Sequence, residues 1–213
     1  VVDVGGIERA QELYERAVFG GDRGALSEAD RELDRVEADL ALARGRIVHA
    51  RFLETRTEDP REQELFERAA TLYRALGDAR GEGEALFWLA LVHQVVRGDH
   101  DAAVPLLERA GELARRSGDR LTESYVLRHL AFAGQAAGRP EAARELMRES
   151  TRIRRELGFD AGVAANLVAL AHLAAGPDEA AALLDEAAVL ASASGAHGVL
   201  SWVEEARQAQ ASK

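Results

Sequence analysis

Chemistry in this chain would have to come from its histidines, carboxylates and arginine rows, because it contains no cysteine. The six histidines, His49, His93, His100, His129, His172 and His197, stand singly. None forms a His-Glu-x-x-His or His-x-x-x-His pair, the spacing that turns two imidazoles toward zinc from one helix face. His100-Asp101 alone could suggest a metal-dependent hydrolase. One such pair fixes no metal, however, and a turn with a helix cap accounts for it more simply. Gly81-x-Gly83 has no third glycine and no strand before it, so it reads as the turn where a helix begins and not as a phosphate loop. No Gly-x-Ser-x-Gly elbow occurs, and no nucleophile stands in pattern with a base. The expectation is no catalytic residue, no metal and no cofactor, hence no enzyme.

The arginines are the other candidates. Arg144, Arg148, Arg152 and Arg155 line one helix face and could meet phosphate. Glu141, Glu145 and Glu149 interleave with them, and solvated ion pairs at i,i+4 explain the row more simply. The whole chain carries a net charge of −10, from 37 acidic and 27 basic residues, a field that repels nucleic acid and anionic lipid. Lys213 is the only lysine. Neither nucleic acid nor membrane is therefore an expected partner. The start, Val1-Val2-Asp3-Val4-Gly5-Gly6, lacks the regions of a signal peptide and has no initiator methionine, as a processed or trimmed chain would. The longest apolar stretch, Ala161 to Ala175, is too short to span a bilayer. With no cysteine to oxidise, a reducing, cytoplasmic location is the expectation.

The elements that must position these residues are helices. Residues 101–117 place Ala103, Leu106, Leu107, Ala110, Leu113 and Ala114 at steps of three and four, one apolar stripe on a charged helix. Gly118-Asp119 ends it. Period-two alternation is rare, so strands are not expected. The same stripe recurs before Gly77, Gly118, Gly158 and Gly195, which lie 41, 40 and 37 residues apart. The intervening helices repeat too: Leu86, Leu89-Ala90 returns as Leu127, Leu130-Ala131 and as Leu167, Leu170-Ala171. Tight turns at Arg97-Gly98-Asp99, Gly138-Arg139-Pro140 and Gly176-Pro177-Asp178 join each pair, with both prolines where a helix begins. A period in this range predicts stacked helical hairpins.

With Leu86, Leu89, Ala90 and His93 in one helix and Ala103 and Leu107 in the next, the chain resembles the tetratricopeptide-repeat family. Leu127, Leu130, Ala131 and Gly134 with Ala143 and Met147 repeat the pattern, as do Leu167, Leu170, Ala171 and Ala174 with Ala180 and Leu184. The units exceed the usual ~34 residues, glycine replaces the closing proline, and Val48-His49 degrade the first copy. Such longer units resemble repeat regions of bacterial regulators and scaffolds. The expected architecture is an all-α, right-handed α-solenoid of about four helix-turn-helix repeats. Residues 1–213 would form one domain: N-terminal helices over 7–40, repeats over about 41–193, and a cap helix over 197–211 with Val199, Leu200, Trp202, Val203 and Ala206 on its apolar face. Residues 7–19 should form a short helix carrying Ala10, Leu13, Tyr14 and Ala17. Ser27-x-x-Asp30 should cap the next helix, which continues past Leu33, Val36, Leu40 and Ile47 and bends near Gly45.

In that family the first helix of each pair lines a concave surface. The resemblance therefore implies ligand-facing positions at Glu84, Phe87, Trp88, Leu91 and Gln94, then at Tyr125, Arg128, His129, Phe132 and Gln135, and then at Val168 and His172. Two readings compete: these side chains pack against neighbouring helices, or they form one apolar groove rimmed by Gln94, Arg128 and Gln135 for a helix or extended peptide. The family's carboxylate clamp needs paired asparagines, and Asn166 is the only asparagine here. The resemblance implies a protein- or peptide-binding scaffold or adaptor, with homodimerisation compatible. The alternative is a regulatory sensing domain for a small molecule or signalling peptide, as part of a larger transcriptional regulator.

Overall fold

The structure, a computed structural model, describes residues 4–211. Residues 1–3, 212 and 213 lie outside the described residues. Ten α-helices and no strand occur among the described residues. The chain divides into two compact units, Val1–Gly118 and Asp119–Lys213. The first holds α1 (Val4–Gly20), α2 (Ala25–Thr55), α3 (Arg61–Leu76), α4 (Ala79–Leu91) and α5 (His100–Ser117). The second holds α6 (Arg120–Ala136), α7 (Pro140–Glu156), α8 (Asp160–His172), α9 (Pro177–Ala193) and α10 (His197–Ala211). Packing is most extensive within the pairs α2/α3, α4/α5, α6/α7 and α8/α9, which are the hairpins the repeat predicts.

Two residues suffice to end one helix and begin the next. Gly77 and Gly118 take the left-handed conformation, with φ of 72° at each, and close α3 and α5. The aspartate that follows each glycine caps the next helix: Asp78 accepts from Gly81 N at 2.9 Å and Asp119 from Thr122 N at 3.1 Å. Asp99 does the same for α5, accepting from Ala102 N at 2.9 Å, so His100 is the first helical residue and the cap is its neighbour. In the second unit proline takes over this task at the start of α7 and α9.

The apolar stripes lie inside, as expected. Leu107, Ala110, Met147, Ile153, Leu184 and Ala187 are buried. In α10 Val199, Val203 and Ala206 are buried against α8 and α9. Two local expectations are corrected. α2 begins at Ala25 behind Gly24, with no side-chain cap, so Ser27 and Asp30 lie within the helix. It continues past Gly45, as the periodicity implies, and there the missing side chain admits the Phe66 ring; a Cβ there would stand 2.5 Å from it. Tyr14 is exposed beside the buried Ala10 and Leu13.

Candidate binding site

The ligand-facing positions divide between the two units. In the first, the residues that surround Trp88 are its packing partners. Its indole stacks on Phe66 (5.9 Å between centroids) and meets His49 and Phe87 edge-on at 5.4 Å each, while the Arg46 guanidinium lies 5.6 Å from its ring. Offset and edge-on geometry of this kind joins α2, α3 and α4 into one aromatic cluster. Phe87, Leu91 and Gln94 are only 3%, 5% and 6% exposed, so burial withdraws them from any ligand. The Gln94 amide, on a π-helical turn at Val92–Val96, sits 3.1 Å from His100 Nδ1. Glu84 is ion-paired with Arg46. For Phe87, Leu91 and Gln94 the packing reading describes what these side chains do.

In the second unit a cavity of about 660 Å³ opens among α6, α8 and α10. Five of the expected positions, Arg128, Phe132, Gln135, Val168 and His172, line it. The cap helix supplies the other wall, chiefly Trp202 and Glu205. Trp202 is 46% exposed, unusual for the largest apolar side chain of a helix that otherwise buries its stripe. It falls at the edge of the Val199, Val203 and Ala206 face, where helical spacing turns it toward the opening and away from the core. His129 lies behind the wall, edge-on to Phe132 at 5.5 Å, and Tyr125 packs on Phe159 at 6.2 Å.

Beneath the cavity lies a polar network that the sequence pattern did not single out. Arg128 Nη1 donates to Ala165 O at 2.9 Å and to Asn166 Oδ1 at 2.7 Å. Arg154, 2% exposed, donates from Nη1 to the same Asn166 oxygen and to Gly162 O, both at 2.9 Å. Asn166 Nδ2 donates to Ser150 Oγ, which donates to Ser124 O at 2.6 Å. Two guanidiniums thus share one amide oxygen, and their acceptors are all neutral. Burial first, and the neighbouring Arg154 second, push the Arg128 guanidinium down to about 9; burial pushes Arg154 down to about 10. Both stay charged at neutral pH. Aromatic faces supply further stabilisation: Arg128 lies 4.7 Å from the Phe132 ring, and Arg154 4.7 Å from Tyr125. The network anchors Arg128 at the cavity wall, with the Phe132 ring against its guanidinium.

The arginine row of α7 is engaged with carboxylates. Arg152 pairs with Glu149 at 2.6 Å and with Glu156, Arg155 with Glu186 at 2.6 Å, and Arg144 and Arg148 approach Glu179. Among the described residues no group of three or more His, Cys, Asp or Glu could hold a metal ion. No helix among them is long and apolar enough to cross a membrane.

Comparison with known proteins agrees with the repeat pattern. Residues 81–156 match the sequence model of a family described as Tetratricopeptide repeat. No curated protein matches the chain.

Proposed function

Because this chain carries tetratricopeptide repeats, we propose that it is a non-catalytic protein-interaction module, a scaffold or adaptor. Repeats of this family generally mediate protein–protein interactions. Its peptide-binding surface in the second unit is the cavity among α6, α8 and α10. The observation that carries this reading is the convergence of Arg128, Phe132, Gln135 and His172 with a half-exposed Trp202 around one opening. Aromatic and arginine side chains around a concavity are the composition in which binding energy concentrates. Phe132, Val168 and Trp202 offer an apolar floor for one large side chain of a peptide. Gln135, His172 and Glu205 offer hydrogen-bonding groups at the rim. The opening is a trough shared by three helices, which supports an extended peptide or partner helix over an enclosed small molecule.

The test is affinity capture on the immobilised chain, identification of the partner by mass spectrometry, and titration of the purified partner. Trp202→Ala removes an exposed anchor and should weaken binding by roughly 2 kcal/mol or more while folding is unchanged. His172→Ala, also exposed, should weaken it less. Full affinity in both variants would place the partner elsewhere and end this reading.

A further inference from the structure

We propose that the outer face of α2 is a self-association surface on which a second copy of this chain packs antiparallel. The helix already has one apolar face: Ala38, Ala41, Leu42, Val48 and Phe52 are buried inside the first unit. A second runs along it unburied. Leu26, Leu33, Leu40 and Ile47 recur every seven residues and are 50%, 45%, 37% and 54% exposed. Seven residues is nearly two turns, so the four form one continuous stripe with the slow drift that a left-handed helix pair follows. One apolar residue per heptad, with charges alongside, makes a narrow seam that a second helix can follow. A surface helix of a monomer needs only one apolar face, so the second calls for another surface to cover it.

The charges select the occupant. Beside the stripe, at the same interval, run Asp30, Glu37, Arg44 and Arg51: acid in the first half, base in the second. A parallel copy would set acid against acid and base against base. An antiparallel copy sets Asp30 of each chain against Arg51 of the other, and Glu37 against Arg44. The two-fold axis then crosses at Leu40, which meets its own copy, and the contact closes on itself as a symmetric dimer. It also places Leu33 of the second copy opposite Ile47. There a cavity of about 510 Å³, shared with Val48 and Leu65 and rimmed by Arg44, Arg51 and Arg61, can receive it. Glu37 is bonded to Arg68 at 2.7 Å and 2.9 Å within its own chain, so Asp30 carries more of the acidic side.

Sedimentation equilibrium of the whole chain tests this. The wild-type protein should sediment at twice the monomer mass. The Leu33→Glu/Leu40→Glu variant should be monomeric with unchanged circular dichroism. Should those two substitutions disturb folding, the charge variants, which leave the stripe intact, decide the matter. Asp30→Arg and Arg51→Glu should each loosen the dimer roughly tenfold, and both together in one chain should restore it. A monomeric wild type, as when a different protein covers this face, overturns the proposal. So does a dimer indifferent to the leucine pair. A dimer unmoved by either charge reversal overturns the antiparallel arrangement.

Discussion

Asn166 shows how one side chain can organise a site without touching a ligand. It accepts from Arg128 and Arg154 through one oxygen and donates to Ser150 through its nitrogen, so every polar atom of a fully buried amide is used. Asn166→Leu would leave the buried Arg154 and the half-buried Arg128 each short of an acceptor, which should cost roughly 3–5 kcal/mol in urea unfolding. Asn166→Asp keeps acceptor oxygens and adds a negative charge between two arginines, and should cost clearly less. Equal losses from the two would mean that size, not hydrogen bonding to the arginines, is what this position supplies. In the sequence Asn166 is only a polar interruption of an apolar stretch. Its partners lie 12 and 38 residues away on other helices, a proximity that no local pattern encodes.

At the scale of the helices, periodicity was a sufficient guide to what is buried. Leu107 is fully buried in the α5 stripe and Glu108 beside it is exposed. Leu107→Ala should lower unfolding free energy by roughly 2–5 kcal/mol, and Glu108→Ala should leave it nearly unchanged. Gly45→Ala should also destabilise, by about 1–3 kcal/mol, because the new methyl group meets the buried Phe66 ring. The Gly77 and Gly118 stops, the hairpins and the stripe of α10 were all legible because each depends on residues within a few turns. The role of Gly45 was not, since it reads as a weak point in a helix unless the ring that fills its place is known. Nor was the fate of Phe87 and Leu91: alignment to a repeat identifies a face of a helix, and the aromatic cluster around Trp88 covers that face. Trp202 was read as part of a buried stripe because helical spacing puts it at the edge, where a small rotation separates packing from exposure.

For the molecule as a whole, the last helix has two tasks that one deletion can expose. Residues 197–211 cover Leu184, Ala187 and Ala191 of α9 and also form a wall of the cavity. Removing residues 197–213 should therefore lower the melting temperature and cause aggregation, as uncapped ends of repeat arrays do. An unchanged melting temperature and assembly state would show that α10 is not a cap. The central claim, that the trough among α6, α8 and α10 receives a peptide, can be read more directly, because the chain has two tryptophans and only one lines the trough. In a Trp88→Phe protein, Trp202 becomes the sole indole reporter. Its emission should be readily quenched by acrylamide in the free protein, then shift to the blue and become protected as the captured partner peptide is titrated in. Saturable binding of that peptide with Trp202 emission and quenching unchanged would contradict the account.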